Sequence, residues 1–176
     1  MYPVVRMVKE LALHSRAETL SVWGTHVSRH VCWPWDLDLW LELNNGRTLT
    51  LFDLGRIPLA WRNGLFKAMR ANRWGITVAG VSVRYRARIK LFDRVEMRSR
   101  GVGHDCRFLY VEQTLWNCET CTTQPLIRNA VTSKQGIVAP ERLLEAMGED
   151  PVSPPLPDWV AAWIAAEAER PWPPSL

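Results

Sequence analysis

The chain has 176 residues with 47% apolar and 23% charged side chains, a balance that fits one folded domain and excludes long disorder and a disulfide-dense miniprotein. Twenty-two Lys and Arg against 18 Asp and Glu leave a net charge of +4, a modest excess that favours an anionic partner without naming it. No apolar run approaches the ~18 residues a membrane helix needs, so no membrane span is expected.

The N-terminal ten residues carry charges inside their only apolar stretch and show no small-residue cleavage site, so no secretory signal is read and a cytoplasmic address is expected. Cys32, Cys106, Cys118 and Cys121 are expected to be reduced, being too few for a disulfide framework.

In chain order, residues 4–13 show helical spacing and predict a short helix. From Val22 to Trp35 the β-branched and aromatic content rises, predicting a strand with Val27, Val31 and Trp33 on one face, ended by Pro34. A loop rich in Asp and Asn follows, residues 36–46, and leads into an apolar helical pattern. That helix should be largely buried, with Thr48, Leu51, Phe52, Gly55 and Leu59 on one side and Leu49, Leu54 and Ile57 over much of the rest. Pro58 predicts a kink or stop near Ile57 and a second piece to about Arg70.

Strict alternation from Val81 to Leu91 predicts a half-buried strand, with Ser82, Arg84, Arg86, Arg88 and Lys90 on its polar face. Three more strands are expected near 93–102, 106–117 and 121–132, joined by hairpin-length turns into an antiparallel meander. Pro140 opens a short helix through Met147, residues 151–157 form a Pro-rich connector, and Asp158 caps a last helix to about Arg170.

One strand, a hydrophobic helix and a four-stranded meander is the order of hotdog folds, in which a curved sheet wraps a central helix. The loop sharpens this: Asp36-x-Asp38-x-x-x-Glu42-x-Asn44-Asn45-Gly46-Arg47-Thr48, continuing to Phe52-Asp53-Leu54-Gly55-Arg56, resembles the 4-hydroxybenzoyl-CoA thioesterase family. There the pattern runs Asp-x-Asp-x-x-x-His-x-Asn-Asn-x-x-Tyr, followed by an aromatic, an acidic residue and an Arg. This chain departs from it at Glu42, where the family has His, and at Thr48, where it has an aromatic. The stretch 84–93, Arg-Tyr-Arg-Ala-Arg-Ile-Lys-Leu-Phe-Asp, is similar to the thioesterase-like branch, and the resemblance covers about residues 24–135. It implies an α+β hotdog domain over residues 1–176, with a core of about 22–135 and a helical tail of about 140–170.

The resemblance implies an acyl-CoA thioesterase that releases a carboxylic acid and free thiol. Asp38 would be the carboxylate, acting as nucleophile or general base, and backbone amides near Asn45 to Arg47 the oxyanion site. Without it, Asp36 and Asp38 would read as side chains that satisfy turn amides. Asn45 would orient the water or the thioester, or serve as a cap beside Asn44. Glu42 reads as a second carboxylate beside Asp38 or as a solvated side chain, and Asp53–Arg56 as a helical ion pair. Gly46, Arg47, Thr48, Trp40, Arg84 and Arg86 complete the expected substrate-binding set, the arginines attracting the phosphates of coenzyme A. The row Arg84, Arg86, Arg88 and Lys90 would equally serve as a solvated face paired with acids such as Glu96 or Glu112.

Trp33, Trp35 and Trp40 flank the loop and would wall an acyl pocket or bury against a second subunit. Hotdog proteins pair into dimers, so a homodimer or dimer of dimers is expected. No metal is expected at Cys118-x-x-Cys121, which has no second ligand pair, and no cofactor is called for. Two other readings carry less: a noncatalytic acyl-CoA or acyl-carrier-protein binding module, prompted by Glu42 and Thr48, and a nucleic-acid binder, for which no recognition motif speaks. No nucleic-acid partner is expected.

Overall fold

A computed structural model describes residues 2–174. Its elements are α1 (Val4–His14), β1 (Thr25–Val31), a 3-10 turn (Pro34–Asp36), α2 (Asn45–Arg62), α3 (Leu65–Asn72), β2 (Gly75–Tyr85), β3 (Arg94–His104), β4 (Leu109–Asn117), β5 (Thr120–Ser133), β6 (Gly136–Val138), α4 (Pro140–Met147) and α5 (Asp158–Ala168). The strands form one antiparallel sheet in the order β1-β3-β4-β5-β2, with β6 against the end of β5. This curled sheet around α2 is the hotdog arrangement, an α+β fold, as the order of elements predicts.

The core lies where α2 meets the sheet. Leu51, Phe52 and Leu54 of α2 pack with Val95 and Met97 of β3 and Leu115 of β4. Close approach depends on Gly55, where a Cβ would meet Ser99 Oγ and stand 2.6 Å from Met97 Sδ. Beneath it the buried Gln113 donates through Nε2 to Phe52 O at 2.9 Å and to Ser99 Oγ at 2.7 Å. On the opposite face, Val160 of α5 packs on Val102, Tyr110 and Leu126, so the tail covers one end of the outer sheet.

Several boundaries differ from expectation for physical reasons. Pro58 does not stop α2, which runs to Arg62; one forfeited hydrogen bond is outweighed by the burial of Leu51, Phe52, Leu54, Pro58 and Leu59. The break comes instead at Gly64, whose φ of 81° suits glycine. In β1 the buried side chains are His26, Ser28 and His30, while Val27 is exposed. α1 supplies polar partners to that face: Glu10 Oε1 stands 3.9 Å from His30 Nδ1, and the His14 ring meets His26 edge-on at 4.5 Å. Finally β2 begins earlier than expected, at Gly75, and ends at Tyr85, so Arg86 to Lys90 are not strand.

Residues Ile76, Val78, Val81, Val83 and Tyr85 of β2 share a face, because an irregularity between Val78 and Gly80 shifts the register by one. They stand opposite Val131, Asn129, Ile127, Pro125 and Thr123 of β5. That apolar face is largely exposed, and among the described residues β2 pairs only with β5. It therefore forms a free, apolar edge of the sheet.

Candidate active site at the start of helix α2

Helix α2 opens with Asn44 as its cap: the side-chain oxygen accepts the Arg47 amide at 2.9 Å, and the main-chain oxygen accepts the Thr48 amide at 2.8 Å. Among the described residues no acceptor meets the amides of Asn45 and Gly46, so they remain open donors at the positive end of an 18-residue helix. Thr48 is buried and donates its hydroxyl to Asn44 O at 2.9 Å.

The loop before the helix is a tight turn. Asp38 N donates to Glu42 O at 2.9 Å, Leu41 N donates to Asp38 O at 3.1 Å, and Leu41 takes a φ of 59°. Asp38 Oδ1 accepts the amides of Trp40 at 2.9 Å and Glu42 at 3.5 Å, an Asx turn. Leu43 N then donates to Ile89 O at 2.8 Å, and Glu42 bridges Lys90. The turn is thereby clamped against the segment that follows β2.

Between the turn, the first turn of α2 and that segment lies a cavity of about 180 Å³. Its walls include Glu42, Asn45, Thr48, Tyr85, Arg86, Arg88 and, from β5, Thr123. Tyr85 donates its hydroxyl to Asn45 O at 3.2 Å, tying the edge strand to the helix start. Burial pushes the Tyr85 phenol up from its ordinary value, so it stays a donor at neutral pH. Arg88 Nε stands 2.9 Å from Glu42 Oε2.

Of the residues singled out from sequence, Asn45, Thr48 and Arg86 line this cavity; Asp38, Trp40, Gly46, Arg47 and Arg84 do not. Asp38 is half-buried within the turn, Trp40 is exposed, and Arg84 lies exposed on the free edge strand. Arg47 turns to the far side of the loop, where its Nε donates to Asp36 Oδ1 at 2.6 Å. Asp36 is fully buried and also receives Arg6 at 2.7 Å and the Trp33 amide at 3.1 Å. On that side Trp33 stacks on Trp35 at 5.5 Å, away from the cavity walls.

The basic row does not pair with Glu96 and Glu112. Glu96 instead meets Arg98, two residues along β3, at 2.9 Å, and Glu112 meets Arg100, its cross-strand neighbour on β3, at 2.7 Å. Asp53 and Arg56 form the expected ion pair. Sequence reasoning weighed Glu42 as a second carboxylate and Arg88 within the basic row, but did not select Tyr85 or Thr123. The departure from the family motif marks Glu42, whereas Tyr85 and Thr123 come together only through the pairing of β2 with β5. The described residues hold no group of three or more His, Cys, Asp or Glu suited to a metal ion.

A central helix wrapped by a sheet, with a polar cavity at its amino end, matches a known class. The Thioesterase-like superfamily model matches residues 32–164, and the chain belongs to that superfamily. It is similar to protein THEM6 of Xenopus laevis, 31% identical over 134 residues, covering 74% of this chain and 63% of the relative. THEM6 of Danio rerio is 28% identical over 132 residues, with 73% and 63% covered. The chain thus spans under two thirds of the length of these relatives.

Among solved structures, the fold resembles the probable thioesterase YbaW of Escherichia coli, with a TM-score of 0.62 and 20% identity, covering 69% of this chain and 96% of that one. It also resembles the Staphylococcus aureus protein SAV2348, solved in complex with CoA, with a TM-score of 0.62 and 12% identity, covering 81% and 96%. No described helix is long and apolar enough to cross a membrane.

Proposed function

We propose that the protein hydrolyses an acyl-coenzyme A thioester at the cavity beside the start of α2, yielding a carboxylic acid and the free thiol. The observation that carries this reading is the meeting of a carboxylate-bearing turn with the open amino end of α2 at one cavity, lined by Glu42 and Asn45. Thioester hydrolysis requires a group that activates water and donors that hold the oxyanion. The turn supplies the first and the amides of Asn45 and Gly46 the second. The resemblance to the 4-hydroxybenzoyl-CoA thioesterase motif supports it and points to Asp38 as the carboxylate. Asn45 and Thr48 border the reacting group, and the exposed Arg86, with Arg84 and Arg88 nearby, attracts the phosphates of coenzyme A. The fold neighbour solved with CoA supports coenzyme A as carrier.

The site is proposed to be completed by a second copy. A cavity of about 180 Å³ is smaller than the ~300 Å³ at which small-molecule sites begin, and it lies beside the free edge of β2. A homodimer joined along β2 would extend the sheet and add a wall.

The test is thiol release across a panel of acyl-CoA substrates at increasing salt. Turnover with a KM that rises with ionic strength is expected, since exposed charges are screened. A second reading, a noncatalytic acyl-CoA or acyl-carrier-protein binding module, is prompted by Glu42 standing in place of the family His. Saturable binding without turnover across the panel would select it.

A further inference from the structure

We propose that Glu42 is the general base of this site and that Asp38 positions it. This rests on the hydrolase reading above and decides which carboxylate of the turn takes the proton. Glu42 lines the cavity, whereas Asp38 does not. Glu42 Oε2 is buried against the guanidinium of Arg88, whose Nε stands 2.9 Å away. The Glu42 side chain is 29% exposed, so the rest of its carboxylate is open to a cavity large enough for water and can accept a proton there.

Asp38 is committed differently. Its Oδ1 holds the amides of Trp40 and Glu42, and its own amide closes the turn on Glu42 O. With Leu43 bonded to Ile89 and Glu42 bridged to Lys90, this network fixes the backbone from which the Glu42 side chain projects.

In the hydrolytic step the water oxygen bonds to the thioester carbonyl carbon while one water proton passes to the Glu42 carboxylate. The carbonyl π electrons move onto oxygen, which the Asn45 and Gly46 amides receive. Collapse of that oxyanion breaks the carbon–sulfur bond. The leaving sulfur takes the proton from Glu42, so the products are the carboxylic acid and the thiol, and the base is restored.

The experiment compares four variants with wild type in thiol release, with water or hydroxylamine as nucleophile and the uncatalysed rate subtracted. Glu42→Gln is expected to lower kcat by on the order of 100-fold or more with little change in KM. Hydroxylamine attacks without a base and should restore much of that loss as enzyme-dependent hydroxamate. Glu42→Asp, which withdraws the charge by one methylene, should stay above Glu42→Gln. Asp38→Asn can still accept both amides and should lose no more than about ten-fold, whereas Asp38→Ala, which cannot, should lose more.

Glu42→Gln within about three-fold of wild type overturns the inference. So does an equal fall in hydroxylamine and water turnover, which would mean a structural role, or an inactive Asp38→Asn beside an active Glu42→Gln. Absence of wild-type turnover on every thioester overturns the hydrolase reading itself, an outcome separate from these.

Discussion

Asp36 is fully buried between the guanidinium groups of Arg6 and Arg47. It links α1, the 3-10 turn and the first turn of α2, and so holds in place the outer side of the loop whose inner side faces the cavity. Removing one member of a buried ion cluster leaves the others desolvated and unpaired, at about 3–5 kcal/mol. Asp36→Ala should therefore lower the chemical unfolding free energy by about that amount; a loss under 1 kcal/mol would show that the two arginines find water instead. At this scale the sequence was informative where a residue acts on its immediate neighbours, as the Asn44 cap and the Asp38 turn do. It was silent on Tyr85 and Thr123, which reach the cavity from positions about 40 to 80 residues along the chain. Strand register, not local spacing, brings those groups together.

At the scale of elements, α1 and β1 enclose a polar layer that periodicity misread. Alternation identified the strand but not its buried face, since Val27 and Val31 look like the core side until a helix with Glu10 and His14 is laid over His26 and His30. Arg62 donates to His26 Nδ1 at 3.1 Å, and the His26 ring meets His14 edge-on at 4.5 Å. Burial, with the positive charges of Arg62, Arg6 and Lys9 nearby, pushes His26 down to about 4 and His30 down to about 3. Both are therefore neutral in the folded protein while the unfolded chain still binds their protons below about 6.5. Stability is full above that value and falls as pH drops towards 4 and 3, by several kcal/mol at most for the pair. Glu10 opposes part of this: burial raises it, so the folded state favours its protonated form as the medium acidifies. The net expectation is a urea midpoint that declines from pH 6.5 to 4, with a shallower decline in His26→Gln. Equal slopes in the two proteins would remove His26 from the account.

Across the whole molecule, the order of elements was legible because the meander and the buried helix each carry their own period, and the hairpin turns fall close to where turn residues stand. The partnering of β2 was only half legible: its alternation from Val81 to Tyr85 is plain, but a strand with a neighbour on both sides and one left at an edge read alike. The exposed row Ile76, Val78, Val81 and Tyr85 continues the face that α2 covers elsewhere, a large apolar edge of the kind that invites pairing. Light scattering should give twice the chain mass for wild type and a shift towards the single-chain mass for Val81→Asp, with thiol release falling together with the dimer. A wild-type monomer that retains full turnover would place the complete site within one chain.

The claim on which everything else depends is that the amino end of α2 is a place where a thioester is cleaved. Its most direct measurement follows thiol and acid together over many turnovers of one acyl-CoA, beside the binding of a thioether analogue that cannot be hydrolysed. The account predicts equal amounts of thiol and acid, produced in excess over protein and suppressed competitively by the analogue. Saturable binding of the analogue with no thiol above the protein-free rate would contradict it.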